Sequence, residues 1–196
     1  MKLYRPYPMG DSPEGLCTKR GVSTLFSIDL FRGKCSADPK KVTEYLLTKE
    51  SEDNRTSRDS YSIMFQDFKL PIFNPDSRLL SSVMVDINNK LSKAMDCRIK
   101  FLSGWTIIHH HQYQTAPHKH LGPDHDLACV YWAQVPDQSA DLTCYPLGLD
   151  YKSYKVKAVE GEFLVFPSDL LHSVTANMSH EPRVSMSFNI NLLPKI

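Results

Sequence analysis

The chain of 196 residues is long enough for one domain with a sizeable core, and its 23 basic and 22 acidic residues nearly cancel to a net charge of +1. This balance argues against a broad electrostatic footprint on nucleic acid or on an anionic membrane. Five cysteines without a paired spacing favour a reduced, cytoplasmic protein. The N-terminus has no apolar segment of the secretory type, and no apolar run reaches the roughly 18 residues of a membrane span.

Helical signals lie in the first half of the chain. Asp38 is a candidate N-cap, Pro39 fits the first helical position, and the apolar spacing that follows predicts a helix over residues 38–49. A second helix is predicted from a cap at Asn74 or Asp76 to about residue 96. Its apolar stripe consists of Leu79, Leu80, Val83, Ile87, Leu91 and Ala94. We interpret this stripe as packing surface for one side of a sheet.

The second half of the chain reads as short strands separated by turns. The predicted strands cover residues 99–114 (as one strand or two), 127–135, 141–145, 154–158, 163–166, 172–176 and 183–192. The strand at 127–135 is apolar on both faces and is therefore placed centrally in a sheet. We predict a single, mainly β domain over residues 1–196. Residues 1–97 would form a helical and loop support region, and residues 98–196 a β core carrying any metal site.

The last strand alternates between polar and apolar residues. Arg183, Ser185, Ser187 and Asn189 share one face, because strand side chains point alternately to opposite sides. That face looks either at solvent or into a polar cavity, since burying such groups is costly unless they are paired. Arg183 and Ser185 together would suit a carboxylate, because the guanidinium offers two parallel donors and the hydroxyl a third.

Histidines provide the candidate metal ligands. His118 and His120 are two residues apart, so on a strand they would point to the same face, and His172 from a distant strand could complete a site. Imidazole nitrogen suits iron, copper, nickel and zinc. The consecutive residues His109, His110 and His111 are weaker candidates, since alternating side chains cannot all face one metal.

Taken in order, these segments resemble the iron(II)- and 2-oxoglutarate-dependent oxygenases, and most closely a small group found in bacteria and phages. The resemblance covers about residues 105–192. Its motifs are His118-Lys119-His120, the strand Leu127-Ala128-Cys129-Val130-Tyr131-Trp132, the segment from Gly161-Glu162-Phe163 to His172, and Arg183-Val184-Ser185-Met186-Ser187-Phe188-Asn189.

The resemblance implies a double-stranded β-helix, a jelly roll with iron(II) at its open end. His118, His120 and His172 would be the ligands, and Arg183 with Ser185 would bind the distal carboxylate of 2-oxoglutarate. Contacts from Asn189, Tyr113 or Gln112 to the cosubstrate are also predicted. The implied reaction uses O2, releases succinate and CO2, and hydroxylates a small-molecule or peptide substrate. The implied setting is the cytoplasm, with a phage origin possible on the resemblance alone.

The sequence departs from the superfamily at one position. Most members use two histidines and one carboxylate, whereas His120 occupies the carboxylate position here. Three interpretations stand: a three-histidine site, which we favour; recruitment of Asp124 or Asp126; and a halogenase-like site in which His120-Leu121-Gly122 lacks the carboxylate. Two other functions also remain, a three-histidine cupin (thiol dioxygenase or isomerase) and a non-catalytic β-sandwich binding module.

Overall fold

A computed structural model of the protein describes residues 4–6, 26–52, 78–150 and 152–195. In these ranges the chain forms two helices, α1 (Pro39–Glu52) and α2 (Arg78–Met95), and eleven strands. The strands are β1 (Tyr4–Pro6), β2 (Phe26–Ile28), β3 (Phe31–Lys34), β4 (Arg98–His109), β5 (Thr115–His118), β6 (Leu127–Gln134), β7 (Leu142–Cys144), β8 (Tyr154–Val156), β9 (Glu162–Pro167), β10 (His172–Val174) and β11 (Arg183–Leu193).

Two antiparallel sheets pack face to face. The larger has the order β3-β9-β6-β11-β4 and the smaller the order β5-β10-β7-β8, while β1 and β2 pair separately. Apolar side chains from both sheets form one buried cluster between them, which includes Val130, Trp132, Leu142, Leu164, Phe166 and Val174. The predicted mainly β architecture with flanking helices is confirmed.

The two helices cover the outer face of the larger sheet. The inward face of α2 is fully apolar and consists of Leu80, Val83, Met84, Ile87, Leu91 and Met95. Helix α1 begins after Asp38, whose Oδ1 accepts a hydrogen bond of 3.0 Å from the backbone N–H of Lys40, as expected of an N-cap. Both helix predictions are confirmed, although the predicted caps of α2, Asn74 and Asp76, lie outside the described residues.

Strand β6 occupies the centre of the larger sheet, between β9 and β11. Cys129, Tyr131 and Ala133 pack toward the helices. Ala128, Val130 and Trp132 pack toward the smaller sheet. Burial on both faces explains why the sequence of this strand is apolar throughout rather than alternating.

The N-terminal half contributes three strands that the sequence analysis missed, β1, β2 and β3. Strand β3 pairs with β9 at the edge of the larger sheet, so this sheet is not confined to residues 98–196. The strand is short and contains Gly33, which lies beneath the ring of Phe163. A Cβ at this position would come within 2.5 Å of that ring. A four-residue segment with a glycine carries little strand signal, although close packing requires that glycine.

The segment predicted as one or two strands over residues 99–114 is a single strand, β4, followed by a turn. Gln112 has a left-handed backbone with φ of 67° in this turn. The chain then enters β5, which the sequence analysis did not predict as a strand. The four cysteines in the described ranges are free thiols. None of the described helices combines the length and apolar character needed to cross a membrane.

Because α2 packs against the sheet, substitutions on its buried face should lower stability much more than substitutions on its exposed face. Leu91 is fully buried, whereas Val85 on the same helix is 55% exposed. We expect Leu91→Ala to lower the free energy of unfolding by about 2–5 kcal/mol, because it leaves a cavity in the core. The matched control Val85→Ala should change it by less than about 0.5 kcal/mol. Urea unfolding followed by circular dichroism measures both, and equal effects would contradict this packing.

Candidate metal and cosubstrate site

Three histidines meet at one end of the smaller sheet. His172 opens β10 and is paired in register with His118, the last residue of β5. His120 follows two residues later, and one ring nitrogen from each of the three lies within 4.8 Å of the others. The predicted grouping is therefore present, although His120 lies beyond the end of β5 rather than on a strand with His118.

The backbone beyond β5 brings His120 back toward the site. Its N–H donates to the carbonyl of Ser168 at 2.8 Å, and the N–H of Ser168 donates to the carbonyl of Asp126 at 3.2 Å. The hydroxyl of Ser168 also donates to the carbonyl of His125. These bonds tie the loop after His120 to the turn between β9 and β10. That turn leads directly into His172.

All three imidazoles are oriented in the same way. The Nδ1 of His118 donates to the carbonyl of Ala116 at 2.9 Å, and the Nδ1 of His172 donates to the carbonyl of Leu170 at 2.8 Å. The Nδ1 of His120 donates to the side-chain oxygen of Asn189 at 2.6 Å. Since each hydrogen lies on Nδ1 in the neutral ring, every Nε2 is left with a free electron pair.

Burial keeps two of these rings neutral. Burial lowers the pKa of His172 to about 3, and it also lowers the pKa of His120, against the opposing effect of the bond to Asn189. The Nε2 atoms of His118 and His120 are 3.2 Å apart. Two electron pairs at this distance repel one another unless a cation lies beside them, so the donor set fits a divalent metal such as iron(II).

The same pocket contains a buried cation. Arg183, at the start of β11, is 1% exposed, and burial lowers its pKa to about 10, so it stays charged at neutral pH. Its Nη1 lies 3.3 Å from Nδ1 of His109, whereas its Nε and Nη2 have no hydrogen-bond partner in the described part of the chain. A buried guanidinium with two unused donors fits the carboxylate of a cosubstrate.

The polar face of β11 turns inward rather than to solvent. Arg183, Ser185, Ser187 and Asn189 are all buried. The first three line the pocket, together with the three histidines and Trp105, Ile107, His109, Thr115, Cys129, Val130, Leu142, Phe166 and Val174. Of the two interpretations of this alternation, the polar cavity is the one observed.

The other predicted cosubstrate contacts, from Asn189, Tyr113 or Gln112, involve residues that lie outside the pocket lining. Asn189 is outside the pocket lining, and both ends of its amide are used: Oδ1 accepts from His120, and Nδ2 donates to Ser103 at 2.9 Å. Tyr113 is also outside the lining, on the turn after β4, where its ring packs edge-on against His110. The sequence analysis thus located Asn189 near the site but missed its contact with a histidine.

The candidate carboxylates do not join the histidines. Asp126 accepts hydrogen bonds from the N–H of Leu192 at 2.7 Å and from Asn191 at 3.1 Å, so it fastens the end of β11. Asp124 is exposed in a left-handed turn. Neither is among the grouped donors. The three-histidine interpretation is therefore the one that the geometry supports.

The consecutive histidines have three separate roles. His109 faces the pocket, His110 bonds to Glu50 at 2.7 Å, and His111 stacks on His180 with ring centroids 4.8 Å apart. None belongs to the metal-binding group. The sequence analysis missed His109 and Thr115 as pocket residues. Strand alternation is the one sequence pattern that could have pointed to His109, and no motif includes Thr115.

One family model matches a segment of the chain. The model described as "Putative 2OG-Fe(II) oxygenase" matches residues 148–189, a stretch that holds His172, Arg183 and Ser185. The match covers 42 of the 196 residues, so it is a similarity to the 2OG-Fe(II) oxygenases over that segment. No curated protein sequence matches the chain significantly.

Several solved structures share the fold of this chain. A prolyl-4-hydroxylase from Pseudomonas putida has a TM-score of 0.59 at 13% identity, over 85% of this chain and 93% of that one. The α-ketoglutarate-dependent epimerase SnoN of nogalamycin biosynthesis has a TM-score of 0.58 at 14% identity, over 83% and 76%. A 2OG-Fe(II) oxygenase-family oxidoreductase from Burkholderia pseudomallei has a TM-score of 0.52 at 12% identity. This last match covers 60% of the present chain, which spans 58% of the length of that protein.

The predicted double-stranded β-helix is thus confirmed. Iron(II) and 2-oxoglutarate are named in the description of the matched family model, and the donor set described above fits them.

The bond between Asn189 and His120 predicts an effect on metal affinity. Asn189→Ala removes the acceptor that holds the ring, and such losses usually cost 10–100-fold in metal affinity. We expect a weakening of that size for iron(II), measured anaerobically by competition with a coloured chelator. The matched control is Asn191→Ala on the same strand, whose amide bonds to Asp124 and Asp126 instead. Equal losses in the two variants would contradict a specific role of Asn189.

The neutral state of His109 predicts a dependence of stability on pH. Burial, followed by the charge of Arg183, lowers the pKa of His109 to about 3. In the unfolded chain histidine titrates near ~6.5, so below that pH the unfolded state binds a proton that the folded state does not. Stability is therefore lost as the pH falls from about 6.5 toward 3.

We expect His109→Asn to make this decline shallower by roughly 1.4 kcal/mol per pH unit. Urea unfolding of the metal-free protein at a series of pH values measures the slope. A slope identical to that of the wild type would show that His109 is not held neutral in the fold.

Proposed function

We propose that the protein is a hydroxylase that acts on a small-molecule or peptide substrate and converts 2-oxoglutarate to succinate and CO2. The supporting observation is the buried Arg183, whose two unpartnered donors lie in the same pocket as three free Nε2 atoms. When bound, iron(II) with 2-oxoglutarate would activate O2, placing one oxygen atom in succinate and the other in the substrate.

In this proposal His118, His120 and His172 hold the metal through Nε2. Their Nδ1 atoms are already committed to oxygen acceptors, so the rings are oriented before the metal binds. Such preorganisation reduces the rearrangement that accompanies binding. His118 is the most exposed of the three, which places it nearest the solvent side of the site.

Arg183 binds the distal carboxylate of 2-oxoglutarate, with Ser185 beside it. The hydroxyl of Ser185 has only a long contact of 3.5 Å, to the carbonyl of Ile107, and can turn toward a ligand. A carboxylate here would complete the hydrogen bonds of Nε and Nη2. A buried guanidinium in surroundings of low dielectric constant strongly favours an anionic ligand over a neutral one.

The other functions considered fit less well. A three-histidine cupin gives Arg183 no ligand, and a non-catalytic module accounts for neither the free Nε2 atoms nor the unpartnered guanidinium. For the halogenase-like interpretation, Gly122 lies against the ring of His125 rather than at an open place among the three histidines. The epimerase SnoN has a similar fold, so the outcome of the reaction must be tested directly.

The first test is an anaerobic titration of the protein with iron(II) and 2-oxoglutarate, followed by the visible charge-transfer band of the chelate. The wild type should develop the band, and His172→Ala should lose it. Arg183→Met should weaken 2-oxoglutarate binding about 100-fold, because two charge-assisted hydrogen bonds are lost. Arg32→Met serves as the matched control, since Arg32 pairs with Glu162 at the sheet edge, away from the pocket.

Admission of isotopically labelled O2 then tests the chemistry. Labelled succinate should form, and a hydroxylated product should carry one labelled oxygen atom. Bound iron without a band would contradict the use of 2-oxoglutarate, and labelled succinate with an unlabelled, rearranged product would contradict hydroxylation.

A further inference from the structure

A chain of hydrogen bonds links Arg183 to the opposite sheet. The guanidinium Nη1 lies 3.3 Å from Nδ1 of His109, and Nε2 of His109 lies 2.8 Å from the hydroxyl oxygen of Thr115. Arg183 and His109 are also register partners on β11 and β4 of the larger sheet, whereas Thr115 opens β5 of the smaller sheet. All three residues line the pocket.

The direction of each bond follows from the chemistry of the groups. A guanidinium has donors only, so Nδ1 of His109 must accept from Arg183. The neutral imidazole then carries its hydrogen on Nε2 and donates it to Thr115. The hydroxyl oxygen of Thr115 is an acceptor in this bond, and its own hydrogen has no acceptor among the described residues.

We propose that Thr115 is a further cosubstrate-binding residue, whose hydroxyl donates to the distal carboxylate of 2-oxoglutarate beside Arg183, and that His109 positions both groups. This inference rests on the proposed function. The carboxylate would accept from Arg183 of one sheet and from Thr115 of the other, and so it would bridge the two sheets.

A purely structural role for His109 does not account for the unused hydrogen-bond donors of its two neighbours. A structural histidine is expected to satisfy its partners, yet here both neighbours keep unused donors: Nε and Nη2 of Arg183 and the hydroxyl of Thr115. His109 is itself fully buried, and its carbonyl accepts from Asn177 at 2.8 Å, so its position is held independently of any ligand. The unused donors of the chain are therefore available to an anion in the pocket.

The test compares two ligands that differ only in the distal carboxylate, 2-oxoglutarate and 2-oxopentanoate. Thr115→Val should weaken 2-oxoglutarate binding to the iron(II)-loaded protein about tenfold, and Thr115→Ser should restore it to within about threefold. Binding of 2-oxopentanoate and of iron(II) itself should not change. The matched control is Thr143→Val, which removes a buried hydroxyl from β7 of the same sheet, outside the pocket.

For His109 the pair of variants is His109→Leu and His109→Asn. The leucine removes the acceptor and should weaken 2-oxoglutarate selectively, while asparagine retains an acceptor near Nδ1 and should recover part of the affinity. Combining His109→Leu with Thr115→Val should cost less than the sum of the two single losses, because both act through one hydrogen-bond chain.

Three results would overturn the inference. One is unchanged 2-oxoglutarate affinity in Thr115→Val while Arg183→Met loses it, which leaves the proposed function intact. Another is an equal loss for both ligands, which indicates a general disturbance of the pocket. The third is the absence of a 2-oxoglutarate band in the wild type, which removes the proposed function together with the inference.

Discussion

The register of β11 is the constraint on which the rest of the site depends. Its apolar residues Val184, Met186, Phe188 and Ile190 are buried in the core beneath the helices. Because strand side chains alternate, this packing forces the polar set to the opposite side, into the space between the sheets. A slip of one residue would exchange the two faces, burying Arg183 among helix side chains and placing apolar groups in the pocket. The hydrophobic core and the position of the cation are thus set by the same pairing.

The same strand also controls the metal end of the pocket. Asn189 comes from β11 and holds Nδ1 of His120, while Arg183 at the other end of the strand faces His109. The two polar ends therefore move together if the strand moves. The remaining two histidines take their orientation from carbonyls two residues away, so their geometry is largely local. The orientation of the His120 ring therefore depends on the tertiary fold, whereas the rings of His118 and His172 are oriented by the chain next to them.

Much of this could be predicted from the sequence, and the exceptions share a cause. The stripe of α2, the two-sided burial of β6 and the polar alternation of β11 follow from periodicity, which records burial residue by residue. Strand β3 was not predicted, because a segment of four residues that includes a glycine is too short to show an alternating pattern. The hydrogen bonds of Asn189 and His109 were not predicted either. They join residues that are far apart in the sequence, and no local pattern encodes which distant groups meet. Asp126 was a sensible candidate ligand for the same reason, until its bonds to the end of β11 were visible.

The choice of three histidines rather than two and a carboxylate changes the electrostatics of the pocket. Neutral imidazoles bring no negative charge, so a divalent metal bound as proposed would keep both of its positive charges, and Arg183 would add a third nearby. A dianionic cosubstrate would leave this site with a surplus of one positive charge, whereas a carboxylate ligand would bring the sum to zero. The low polarity of the surroundings makes that difference large. Within the same pocket, burial and then the charge of Arg183 lower the pKa of His109, so its ring stays neutral and available as an acceptor.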